Sequence, residues 1–66
     1  MAMTLSDFNS LTHEVFGSSR ADHLLRTHVL TELGGRTAEQ AIDDGFEPKE
    51  VWLTLSAEFE VPEIYR

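Results

Sequence analysis

The three histidines of this chain are the residues whose chemistry could most readily serve a metal ion. His23 and His28 are five positions apart, which puts them on different faces of a helix rather than on the shared face of an i, i+4 pair. His13 stands beside Glu14 in a separate segment without a further ligand pattern. We therefore predict no metal site. His28 lies on the apolar side of its segment, and we expect a partly buried, hydrogen-bonded core residue there.

The twelve Asp and Glu residues are the other groups with catalytic potential. Neighbouring carboxylates such as Asp43 and Asp44 are unavoidable at this density, and acid–base catalysis also needs a positioned base inside a pocket. A chain of 66 residues can rarely enclose a ligand cavity as well as a core. We therefore predict a protein that is not an enzyme, with no catalytic residue, no cofactor and no small-molecule ligand.

A unit that could read DNA lies in the second half of the chain, where Gly45 separates two helical segments. Ala41, Phe46 and Val51 fit the small and apolar positions of a helix-turn-helix. The segment that would enter the major groove carries more glutamates than its one lysine, so it would repel phosphate. Direct binding to nucleic acid is therefore disfavoured.

The amino-acid composition disfavours several classes of protein. Twelve acidic and five scattered basic residues give a net charge of −7, which suits a basic protein partner better than nucleic acid or an anionic membrane. The chain has no cysteine, no signal-peptide pattern and no apolar run near the about 20 residues that span a bilayer. We expect one soluble, cytoplasmic domain over residues 1–66, with residues 1–4 and 63–66 frayed.

Start and stop signals divide the chain into four helices. Gly17, the Gly34-Gly35 pair and Gly45 are typical of helix ends, and Thr37 with Gln40 three residues later predicts a capping box. Ser6 is predicted to cap a first helix that runs to Phe16, and a second helix is predicted over 20–33 after Ser19. The third is predicted over 38–44, and the last runs from Pro48 to the Val61-Pro62 pair.

The helical spacing of apolar residues predicts an all-α fold. We expect a compact bundle of four helices with a short third helix and a helix-turn-helix-like second half. The predicted core consists of Phe8, Phe16, Leu24, Leu25, Trp52, Leu55 and Phe59.

Four sequence blocks, HVLTELGGRT, AEQAI, G-x-x-PKEVW and the closing VP, resemble those of a family of short actinobacterial proteins, the domain of unknown function 3046. The similarity covers nearly the whole chain and is most specific over residues 28–52. Family members often carry a cysteine at the position of Ser56. The resemblance implies a small all-helical cytoplasmic domain with no assigned activity. Family genes often lie near those of the recombinase and its regulator, which implies a DNA-repair context.

The leading functional prediction is a non-catalytic protein-interaction module. Leu30, Leu53 and Ala57 lie off the main apolar stripes of their helices, and the Gly45-Phe46 pair resembles the loop with which ubiquitin-associated-type modules hold a partner. These four, Leu30, Leu53, Ala57 and Phe46, are the predicted partner surface, although Phe46 is also predicted as a core plug. The partner is an unidentified protein or a second copy of the chain. The alternative function is a helix-turn-helix-like nucleic-acid-associated protein in DNA repair or regulation.

Overall fold

The computed structural model describes residues 3–65. Their four helices pack together with a small antiparallel sheet in which Val29 lies opposite Thr37 and Leu30 lies opposite Arg36. The fold is therefore mostly helical with four helices, as predicted, but the all-α expectation is wrong in this sheet. In chain order the elements are α1 (Leu5–Phe16), α2 (Ser18–Thr27), β1 (Val29–Leu30), a 3₁₀ turn (Thr31–Leu33), β2 (Arg36–Thr37), α3 (Ala38–Asp43), α4 (Pro48–Glu58) and a second 3₁₀ turn (Glu63–Tyr65).

The sheet exists because α2 ends at Thr27 rather than at Leu33, where the sequence predicted its end. His28 makes the last helical bond, to the Leu24 carbonyl, and then adopts an extended conformation. The chain that follows is rich in β-branched residues, which favour extended backbone over helix. The extended path turns Leu30 and Leu33 into the core, where they are 1% and 4% exposed. Burial of these two leucines outweighs the continuation of the helix.

The start of α1 is two residues earlier than the sequence predicted. Thr4, and not Ser6, is the cap: its hydroxyl accepts a hydrogen bond from the Asp7 amide at 3.1 Å, and the Asp7 carboxylate accepts one from the Thr4 amide at 3.3 Å. Thr4 thus makes both capping bonds, while Met1 and Ala2 lie outside the described residues, and fraying of residues 1–4 stays a prediction.

The start of α2 also differs from the prediction. The helix follows directly on Gly17, whose φ of +88° ends α1 and whose carbonyl accepts from the Ala21 amide. Ser19 is consequently inside the helix and does not cap it. Asp22, its expected capping partner, instead contacts His13 on α1.

Helix α3 begins at Ala38 as predicted and ends at Asp43, one residue before the predicted end. The Thr37 hydroxyl accepts from the Gln40 amide at 3.2 Å, and the Gln40 side chain accepts from the Thr37 amide at 3.0 Å. Gly45 stands at φ +99° after the helix, and the Phe46 amide donates to the Ala41 carbonyl at 3.0 Å. This is the six-to-one bond of a Schellman motif, which satisfies a carbonyl that the helix end would otherwise leave free.

The last helix begins at Pro48 as predicted but ends at Glu58, before the Val61-Pro62 pair. Glu60 takes the left-handed conformation with φ +54°, and the Val61 amide donates to the Ser56 carbonyl at 2.9 Å. The end of α4 therefore repeats the Schellman pattern, with a glutamate in the position that glycine usually fills.

The C-terminal turn is held in place by the largest core residue. The Trp52 indole N–H donates to the Tyr65 carbonyl at 2.9 Å, and the Tyr65 amide donates to the Pro62 carbonyl. A buried indole needs such an acceptor. Fraying of residues 63–66 stays a prediction, and Arg66 lies outside the described residues.

The core is centred on Trp52, whose ring meets Phe8 and Phe16 edge-on at 6.5 Å between centroids. Of the predicted core, Phe8, Leu25, Trp52 and Leu55 are buried, and Phe16 and Leu24 are half-buried against them. The prediction that Phe59 lies in the core is wrong, since its side chain is 36% exposed. Phe59 comes after the last turn of α4. The sequence did not predict burial of Leu33, Ala38 and Val61. No helix within residues 3–65 is long and apolar enough to cross a membrane.

Candidate protein-interaction surface

The histidines cross-link helices in this structure. The Nε2 atom of His13 lies 3.1 Å from a carboxylate oxygen of Asp22, which joins α1 to α2. The Nε2 atom of His28 lies 3.2 Å from a carboxylate oxygen of Glu58, and its ring lies 4.8 Å from that of Phe59. His28 is thus half-buried and hydrogen-bonded, as the sequence predicted. Over residues 3–65, no three His, Asp or Glu side chains come together as metal ligands would.

A shallow cleft of about 270 Å³ lies between α1, α2 and α3. Leu25 is the only apolar side chain in its lining, and Arg26 uses its Nε to donate to the Asp22 carbonyl. The cleft sets Asn9 and Glu39 beside these residues but places no nucleophile next to a base. Its chemistry therefore gives no support to a catalytic reading.

The four residues of the predicted partner surface do not share one environment. Leu30 is buried at 1% exposure in β1, so it is not available to a partner and that part of the prediction is wrong. Phe46 is half-buried and packs against the core. Leu53 is 45% exposed, and Ala57, one turn further along α4, is exposed as well.

Phe46 is fixed by the arginine of the β2 strand. The Arg36 guanidinium lies 5.2 Å from the centre of the Phe46 ring. Its Nε donates to the Asp44 carboxylate at 2.7 Å, and its Nη1 donates to the Leu33 carbonyl at 2.8 Å. Arg36 therefore ties the hairpin to the end of α3, and the ring beneath it acts as the predicted core plug.

Leu53 and Ala57 lie on the outer face of α4. The opposite face is the one that enters the core, with Val51, Trp52, Leu55 and Ser56 all at most 1% exposed. Steps of three, four and three residues connect an exposed series that we call the α4 stripe: Glu50, Leu53, Ala57 and Glu60. At 1.5 Å per residue, Glu50, Leu53 and Ala57 span about 10 Å along the helix. Glu60 follows two residues after the end of α4, so the apolar pair has a carboxylate on each side.

The two carboxylates of the α4 stripe have no partner among residues 3–65. The three ion pairs in that part of the chain involve Asp22, Asp44 and Glu58 and leave Glu50 and Glu60 aside. Neither of these two side chains makes a hydrogen bond there. Both charges are therefore free to meet a group from outside the molecule.

The same helix departs from local rules of helix stability at three positions. Its N-cap, Glu47, makes no side-chain capping bond. The Ser56 hydroxyl is buried without a hydrogen-bond partner among residues 3–65. Glu60 adopts the left-handed conformation that favours glycine. Of these, only the poor N-cap could have been found from the sequence, since Glu is not a capping residue.

Comparison with known proteins gives a family and one informative relative. A family described as "Protein of unknown function (DUF3046)" matches residues 3–64. A Mycobacterium tuberculosis protein named "Putative envelope-preserving system protein" is 54% identical over 35 residues, which are 53% of this chain and 13% of that protein. The relative is thus several times longer than the segment that it shares. No solved structure matches.

Proposed function

Since the chain belongs to the family described as protein of unknown function (DUF3046), which brings no activity with it, we propose that it is a non-catalytic protein-interaction module. Its binding surface is the α4 stripe. The observation that carries the proposal is the apolar pair Leu53 and Ala57, exposed on a helix whose other face is fully buried. Unpaired carboxylates lie on both sides of the pair, Glu50 on the helix and Glu60 just after its end. Single exposed leucines are ordinary in proteins, but an ordered polar-rimmed stripe is typical of a contact surface.

The relative supports the idea of a module. A segment related to this chain makes up a small part of a longer protein, as expected of a unit that can be joined to other domains. The name of that protein points to a system that preserves the cell envelope, and we propose that setting as the first in which to look for a partner. The lack of cysteine suits a reducing compartment, so the proposal includes a cytoplasmic location.

A second copy of the chain is a less favoured partner. Each copy carries a net charge of −7, and a symmetric contact through the α4 stripe would bring glutamates of the two copies together. Repulsion between like charges opposes that contact. Sedimentation analysis would test it, and a monomer across the accessible concentration range would remove the homodimer.

A DNA-reading function gains nothing from the structure. The helix that would enter the groove exposes Glu47, Glu50 and Lys49 near its start, so the carboxylates outnumber the cation there. Phosphate contacts need the opposite balance. Fluorescence anisotropy with duplex and single-stranded DNA at low salt would detect even nonspecific binding, and we expect none.

A pull-down with matched variants tests the proposed function. Tagged wild-type protein, Leu53→Asp and Leu5→Asp would each be used to capture proteins from a native-type lysate. Leu5 is the control because it is an equally exposed leucine, at 49%, on α1. We expect one stoichiometric partner that binds the wild type and Leu5→Asp but not Leu53→Asp. A partner that Leu53→Asp retains would contradict the proposal. Circular dichroism would show that each variant is folded.

A further inference from the structure

We infer that the α4 stripe binds a basic amphipathic helix of the partner protein. Apolar side chains of that helix would pack on Leu53 and Ala57, while one Lys or Arg would meet Glu50 and another would meet Glu60. This inference rests on the proposed function and adds the chemistry of the partner.

The negative charges of the α4 stripe favour a partner segment with positive charge. Glu50 and Glu60 are exposed, lack ion pairs within residues 3–65, and lie at opposite ends of the apolar pair. Glu47 and Glu63 add further exposed carboxylates before and after the stripe, against Lys49 alone. An approaching anionic or neutral segment would have to desolvate these groups without compensation. A cationic segment would pair with them at the rim of the contact.

The shape of the α4 stripe favours a partner segment that is itself a helix. Three of its members, Glu50, Leu53 and Ala57, follow one another along one face of α4, and Glu60 follows two residues after the end of the helix. A second helix laid along this face presents its own i, i+3 and i+4 residues at matching intervals. One cation of the partner would then face Glu50, and another would face Glu60 beyond the end of α4. Long Lys and Arg side chains can also cover the apolar pair with their methylene groups.

The backbone of Glu60 also has an unusual conformation. Gly17, Gly34 and Gly45 hold positive φ after three other helical segments, and Glu60 holds φ +54° after α4. Glycine takes this conformation at little cost, whereas a residue with a Cβ is strained in it. The glutamate makes no hydrogen bond or ion pair within residues 3–65 that would offset the strain. Strained residues of this kind are concentrated at functional sites, and a carboxylate that receives a cation from a partner has such a function.

The test uses two synthetic helical peptides and isotope-labelled protein. Both peptides carry the same central leucines at i, i+3 and i+4 spacing. One has lysines on both sides of these leucines, and the other has glutamates at the same positions. Amide chemical shifts would be followed by NMR during titration. We expect changes confined to residues 49–61 and binding of the lysine peptide at least about tenfold tighter than that of the glutamate peptide.

Charge reversal sharpens the test. The double variant Glu50→Lys/Glu60→Lys should prefer the glutamate peptide by a similar factor. The matched control Glu14→Lys/Glu39→Lys changes the net charge equally at two exposed glutamates on α1 and α3, and it should keep the preference for the lysine peptide. The inference would be overturned by shift changes centred outside residues 49–61, by an unchanged preference in Glu50→Lys/Glu60→Lys, or by no binding at millimolar lysine peptide.

The same reversed variant separates this inference from the proposed function. If Glu50→Lys/Glu60→Lys retains the protein that Leu53→Asp loses in the pull-down, the module stands and its partner is not recognised through basic residues. If Leu53→Asp retains that protein, the proposed surface itself is wrong. Sedimentation of the captured complex would reveal a second copy of the chain, which would also overturn the basic-helix inference.

Discussion

The helices α3 and α4 are neighbours in the chain, but their ends are built differently. α3 is bounded by a reciprocal capping box at Thr37 and Gln40 and by a Schellman motif with glycine at Gly45. α4 starts without a side-chain cap and ends on a left-handed glutamate, Glu60. A helix of six residues needs both caps because it is too short to be stable without them. The longer α4 tolerates poor ends because its inner face is fully buried.

The difference teaches where this protein gives up local stability. Consistent local choices are expected wherever only folding matters, and departures are expected at functional or strained sites. Within α4 the departures accompany an exposed apolar pair and two free carboxylates. The comparison therefore identifies α3 as scaffold and supports α4 as the proposed contact surface.

Removal of the N-cap should distinguish the two helices by the largest margin. Thr37→Ala should lower the free energy of unfolding by about 1–2 kcal/mol, because it removes the capping bond of α3. Glu47→Ala should change it by less than about 0.5 kcal/mol, since Glu47 makes no such bond. Urea denaturation measures both. Equal losses at the two caps would contradict the contrast between the helices.

The buried hydroxyl of Ser56 should lower the free energy of unfolding. Ser56→Ala should raise the free energy of unfolding by about 1 kcal/mol, because an unsatisfied buried hydroxyl is removed and little volume is lost. Ser10→Ala on the exposed side of α1 is the control and should gain no more than about 0.5 kcal/mol from helix propensity. If urea denaturation gives Ser56→Ala the smaller gain, the hydroxyl is not the cost that we infer.

Substitutions at the C-terminal ends of α4 and α3 should change the free energy of unfolding in opposite directions. These changes should be the smallest of the three sets. Glu60→Gly should raise the free energy of unfolding by about 0.5–1 kcal/mol, because glycine relieves the left-handed strain. Gly45→Ala should lower it by a similar or larger amount, since alanine would be strained at φ +99°. Thermal unfolding followed by circular dichroism would measure both. A destabilised Glu60→Gly would show that the glutamate contributes to folding.

The sequence was most informative where structure is local. The capping box at Thr37, the glycine end at Gly45 and the start of α4 at Pro48 were all predicted, because each depends on residues within one turn. Burial of Phe8 and Trp52 was predicted as well, since helical spacing places them on apolar faces. The outward position of Leu53 and Ala57 is a consequence of the same spacing.

The features that the sequence did not predict depend mostly on contacts between residues that are distant in the chain. The end of α2 at Thr27 depends on Leu30 and Leu33 entering a core that is assembled from other helices, which no local signal reveals. The ordered C-terminal turn depends on the bond from Trp52 to the Tyr65 carbonyl, 13 residues away. The left-handed conformation of Glu60 could not be predicted because glutamate gives no signal for it.

We propose that the end of α4 keeps local strain because the α4 stripe binds a partner. The most direct test is the dissociation constant of the lysine peptide for Glu60→Gly, measured by NMR titration beside the wild type. We predict that Glu60→Gly, although more stable, binds the peptide several-fold more weakly because one of the two rim charges is lost. An equal or tighter affinity in the stabilised variant would contradict the claim that this glutamate serves binding.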